Sequence, residues 1–139
     1  MDDAQAFFEC CLHLRDWIEN DEELPQRVRD AARPYVKGNR VLSLCHDIAI
    51  AAKHLIVDRP LAKDENPRLR PEHTMEQLPA ESVYGDDDDD NFLPPGTLVQ
   101  VISVRLMLDT DGGETVDALM FATECLEAWA SFFELHGLT

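Results

Sequence analysis

The strongest pattern of apolar and polar positions lies between Arg40 and Asp58, in RVLSLCHDIAIAAKHLIVD. Val41, Leu44, Cys45, Ile48, Ala52 and Leu55 recur at helical steps, which predicts a helix with one apolar stripe turned to a core. About a right angle round that helix, Arg40, Asp47, Ala51 and His54 form a polar line, with His46 and Lys53 further round. Upstream, Ala4, Phe7, Phe8, Cys11, Leu14 and Ile18 predict a first helix that opens at Asp2 or Asp3 and closes near Asn20. Its other side carries His13, Asp16, Trp17 and Asn20 on a second stripe, and a Trp there predicts a second buried contact. Leu24 to Arg33 reads as a short helix with Pro25 in its first turn and Pro34 as its stop. Lys37, Gly38 and Asn39 then turn the chain into the organising helix.

After Asp58 the period disappears. Pro60, Pro67, Pro71, Pro79, Pro94 and Pro95 punctuate a polar segment, which predicts a mobile loop over 59–96 that ends in the acidic run Asp86 to Asp90. Thr97 to Leu108 alternates like a strand, Asp109 to Gly113 is a turn, and Glu114 to Val116 can return, which predicts a β-hairpin over 97–116. Asp117 caps a last helix to about His136, with Leu119, Ala122, Leu126, Trp129 and Phe133 expected inward and Gly137 as the stop. The expected fold is therefore mainly α: one domain over 1–139, a four-helix bundle with a β-hairpin inserted before the C-terminal helix.

Charge narrows the classes of function. Twelve Lys and Arg against twenty-eight Asp and Glu give a formal net charge of −16, which repels phosphate backbones and disfavours direct nucleic-acid binding. The same charge suits a basic protein partner, or an acidic mimic that occupies a groove built for nucleic acid. No apolar run is long enough to span a bilayer, and the acidic start MDDAQAFFECC is unlike a secretory signal, so a cytoplasmic protein without a membrane partner is expected. The four cysteines fall in helical patterns and are expected reduced and mostly buried.

Two segments, HLRDWIEND at 13–21 and LCHDIAIAAKH at 44–54, resemble a family of uncharacterised bacterial and phage-borne proteins. The similarity extends to DGGETVDAL and the later EAW, and so covers most of the chain outside the proline-rich loop. That family in turn is similar to HEPN domains, helical bundles of toxin–antitoxin and anti-phage systems. The resemblance implies a protein of that conflict type, and it implies Arg40 and His46 as the catalytic pair of a metal-independent endoribonuclease. Val41 stands where active HEPN ribonucleases carry a polar residue. Such cleavage needs a base for the 2′-hydroxyl and a cation for the developing charge; on one helix these two residues point about 120° apart. A surface arginine and an ordinary polar histidine remain the alternative.

His13, Asp16, Asp47, Lys53 and His54 form the other cluster. It reads either as a polar network between helices, each carboxylate orienting a histidine, or as an acid–base or ligand site. Zinc needs three or four converging ligands, and neither Cys-x-x-Cys nor His-x-x-x-His occurs, so no metal and no cofactor is expected. Phosphate-binding glycine loops and Gly-x-Ser-x-Gly elbows are also missing. The leading expectation is an acidic protein that binds a protein partner through its helix faces, Trp17 among them, with a homodimer as a further candidate. Ribonuclease activity and nucleic-acid mimicry through Asp86 to Asp90 are the alternatives.

Overall fold

The computed structural model describes residues 2–51, 61–62, 65–84 and 93–139, with the backbone alone at Asp2 and Tyr84. Its elements run α1 (Asp2–Asn20), α2 (Gln26–Gly38), α3 (Arg40–Ala51), β1 (Arg68–Pro79), α4 (Ala80–Tyr84), β2 (Leu98–Asp109), β3 (Thr115–Asp117) and α5 (Ala118–Leu135). The strands form one antiparallel sheet in the order β1-β2-β3. The mainly α expectation is thereby overturned. This is a mixed α/β fold with five helices and three strands among the described residues, neither all-α nor a four-helix bundle with one hairpin.

The error lies in the proline-rich segment. RLRPEHTMEQLP lacks the apolar alternation of a half-buried strand, and its prolines argue for a loop. It nevertheless forms β1, because β1 is an outer strand of the sheet, where a missing N–H can face away from the ladder.

Two compact units follow from the contacts, Met1–Arg70 with Leu106–Thr139, and Pro71–Arg105. In the first, α3 packs against α1, α2 and α5. Its buried positions include Leu42, Ser43 and Ala49 as well as Leu44, Cys45 and Ile48, so it is covered on much more than the one expected stripe. Asn39 starts it: its Oδ1 accepts from Leu42 N at 3.1 Å, the arrangement of an N-cap. The helix expected to reach Asp58 is described to Ala51, and the remainder of that stretch lies outside the described residues.

α2 runs through Pro34 to Gly38 rather than stopping there. A proline inside a helix removes one backbone hydrogen bond; here the following turn is held by tertiary contacts. Val36 is buried in the core, and the Tyr35 hydroxyl donates to the Ala128 carbonyl of α5 at 2.7 Å. α5 opens on Asp117, whose carboxylate accepts from Leu119 N at 2.8 Å and Met120 N at 3.3 Å. Its buried residues are Ala118, Phe121, Cys125, Trp129 and Phe132. Trp129 is buried as expected, but the other buried positions fall one residue earlier than the expected ones, and Leu119 and Leu126 point out. β3 pairs with β2 through Met107–Asp117, Leu108–Val116 and Asp109–Thr115, around a turn whose Gly113 takes φ 85°.

The second unit contains the rest of β1 and β2, together with α4. Ala80 N donates to Thr97 O at 2.8 Å, and Gly96 N to Glu81 Oε1 at 2.6 Å. Those bonds tie the end of β1 to the start of β2.

Candidate functional site

An apolar groove lies between α5 and α1. Phe7, Cys10, Leu14 and Trp17 supply the α1 wall at steps of three and four, while Leu126, Ala130 and Phe133 supply the α5 wall, around a volume of about 340 Å³. A second hollow of about 380 Å³, which reaches Asp21, Leu24 and Leu138, shares Leu14, Trp17 and Phe133 with it. The two make one continuous trough. Trp17 stands at their junction 62% exposed, and Leu126 is 56% exposed. The second buried contact expected for Trp17 is therefore not made within the described residues.

Neighbouring polar groups fix the rim. The His13 ring stacks on the Trp17 indole with centroids 6.5 Å apart, and His13 Nδ1 lies 3.9 Å from Asp16 Oδ2. Asp16 in turn accepts from Arg15 Nε at 3.0 Å and Nη2 at 2.7 Å. Glu19, also on α1, accepts from Arg33 Nε and Nη2 of α2, both at 2.9 Å. That guanidinium holds the Glu19 carboxyl below its ordinary pKa of 4.5. α1 carries five acidic residues against one basic, Arg15, and α5 carries three acidic residues and no basic one. The trough is thus lined by apolar side chains with Asp21 at one end, and both helices that form it are acidic in composition.

Of the polar line on α3, Asp47 is 2% exposed. Its carboxylate accepts from Leu61 N and Ala62 N, each at 2.8 Å, and lies 2.9 Å from His46 Nδ1. An ionised carboxylate can only accept, so Nδ1 of His46 is the donor in this contact. This is a network, but its partners are backbone amides of 61–62 rather than His13 or Asp16. Lys53 and His54, the rest of the expected cluster, lie outside the described residues, as does the Asp86 to Asp90 run.

Arg40 and His46 are not brought together. Arg40 donates to Glu65 Oε1 through Nε at 3.2 Å and Nη2 at 2.6 Å, and Nη2 also contacts Glu114 Oε2. Those carboxylates raise its pKa further. Arg40 lines a polar cleft with Lys37 and Glu65, whereas His46 lines an interior cavity of about 10 Å³ with Arg15 and Trp129. That volume is at the lower limit for a single water and too small for a nucleotide.

Three thiols converge in the core, Cys11 of α1, Cys45 of α3 and Cys125 of α5, all free and buried, while Cys10 is free and exposed. Hydrogen bonding to Cys11 and Cys125, then burial, pushes the Cys45 thiol well up, and the bond from Cys45 pulls Cys11 down. Among the described residues no group of three His, Cys, Asp or Glu is placed to hold a metal ion, and no helix is long and apolar enough to cross a membrane.

No family model, curated protein or solved structure matches the chain. The site therefore has to be read from its own chemistry. Phe7, Leu14, Leu126 and Phe133 line the groove although their spacing predicts core positions, and of these Leu126 is the exposed one. A signal was present: α5 has apolar residues at 118, 121, 125, 129 and 132 and again at 119, 122, 126, 129 and 133, more than one face requires, which marks a helix with a second apolar contact.

Proposed function

We propose that the protein acts by binding a protein partner, and that the α1–α5 groove receives a basic amphipathic helix of that partner. The single observation that carries this reading is Trp17, an exposed indole over a continuous apolar trough. Tryptophans of this kind supply much of the energy at protein interfaces, and contiguous apolar surface rimmed by polar groups marks an interaction site. Wall residues at steps of three and four suit a helix lying along the trough with its own anchors at i, i+3 or i+4, and i+7. The carboxylates of α1 and α5 select a cationic flank on that helix and speed its approach. The resemblance of HLRDWIEND and LCHDIAIAAKH to HEPN-type proteins supports a partner within a bacterial or phage conflict system.

The test uses a fluorescein-labelled amphipathic peptide of leucine and lysine, beside its leucine and glutamate counterpart, with binding read by anisotropy. The Leu/Lys peptide is expected to bind, and its Leu/Glu counterpart is not. Trp17→Ala and Leu126→Gln preserve net charge and are expected to weaken binding at least about tenfold, or about 1.4 kcal/mol, with the helical circular dichroism unchanged. Equal binding by wild type and both variants would show that charge alone recruits the peptide and would refute the groove.

A further inference from the structure

Seven consecutive residues, Leu98 to Val104 (LVQVISV), carry no charge in a chain in which 29% of residues are charged. They occupy β2, the middle strand of the order β1-β2-β3, yet β3 covers only Met107 to Asp109 of the second edge of β2. Among the described residues nothing pairs with that edge from Leu98 to Arg105. An open edge of this length is a template for another strand, and proteins guard such edges with prolines and charges. β1 is guarded in that way, by Pro71, Pro79, Glu72 and Glu76. The open edge of β2 has neither. The same strand turns Leu98, Ile102 and Val104 outward, each about 60% exposed, with Met75 of β1 also exposed. A two-stranded ribbon with its apolar face in water is marginal by itself.

We propose that this edge is completed by a second copy of the chain, β2 pairing antiparallel with β2 of the other copy about Val101 to give the order β1-β2-β2-β1. Charge decides the occupant. Two copies that each carry −16 repel over most of their surfaces, and a charge-free strand is where their backbones can approach. A basic partner of the kind proposed for the groove finds no carboxylate within these seven residues to select it. The strand also suits its own reverse. A two-fold axis through Val101 sets Leu98 opposite Val104 and Gln100 opposite Ile102, so that the exposed apolar side chains become cross-strand neighbours on one face.

Sedimentation equilibrium of the full chain tests the association, and cysteine cross-linking tests the register. The wild type is expected to be dimeric and Ile102→Lys monomeric, since that residue is exposed and the change adds charge to the edge. In a Cys10→Ser background, Val101→Cys sits opposite its own copy within disulfide reach and is expected to cross-link on mild oxidation. Val99→Cys faces Ser103 instead and is expected to stay uncrosslinked. A monomeric wild type, or a dimer indifferent to Ile102→Lys, would overturn the proposal. Cross-linking at 99 but not at 101 would overturn this pairing.

Discussion

At the scale of single residues, Asp47 shows how a polar side chain picked out by helical spacing finds a role that spacing cannot reveal. The 3.6-residue period places it off the main apolar stripe, and nothing local indicates that the backbone amides of Leu61 and Ala62 come back to meet it. Removing it leaves those donors without their acceptor. Asp47→Ala is therefore expected to cost about 2–4 kcal/mol in urea unfolding, with Asp47→Asn, which keeps one acceptor oxygen, costing less than the alanine. A loss below about 0.5 kcal/mol, the usual range of surface substitutions, would contradict the buried role. The thiols give a second residue-level test. Exposed Cys10 is expected to react first with a disulfide reagent, whereas Cys45 and Cys125, buried at the centre of the thiol cluster, react only on unfolding. Rapid modification of Cys45 in the native protein would exclude this packing.

At the scale of elements, the longest helical patterns were legible and the sheet was only half so. Asp117 was readable as a cap because its position before an apolar run has a local cause, and the alternation of β2 was equally local. β1 was not readable, because an outer strand with Pro71 and few apolar residues looks like loop. The face of α5 was misread by one position because two apolar registers compete along it and only tertiary packing chooses between them. That one-residue shift moves Leu126 from the core to the groove. The joint between α1 and α2 makes a pH prediction. Glu19 has a lowered pKa in the folded state through its hydrogen bond with Arg33. Its contribution to stability is thus complete above the ordinary value of 4.5 and is lost as pH falls through the lowered one. The pair is largely exposed, so the contribution is small. An NMR titration should show the Glu19 midpoint rising toward its ordinary value in Arg33→Gln; an unchanged midpoint would assign the shift elsewhere.

At the scale of the whole molecule, a charge of −16 sets what each surface can meet. The two helices that wall the groove are acidic, whereas Leu98 to Val104 is neutral. One surface thus suits a cationic partner and the other a copy of the chain. Salt should separate them: groove binding is expected to weaken as ionic strength rises and screens the carboxylates, while pairing of the neutral strands holds or strengthens. The candidate site was legible in Trp17 and in the acidic balance of the composition, but the groove needs α1 and α5 side by side, which no local pattern specifies. The most direct measurement is the pair of indole N–H signals in a nitrogen-15 spectrum, since Trp17 is exposed in the groove and Trp129 is buried beneath it. On titration with the Leu/Lys peptide, docking in the groove requires the Trp17 signal to shift strongly and saturate together with backbone signals of Leu14 and Leu126. A Trp17 signal that stays in place while shifts spread over acidic residues elsewhere would contradict it.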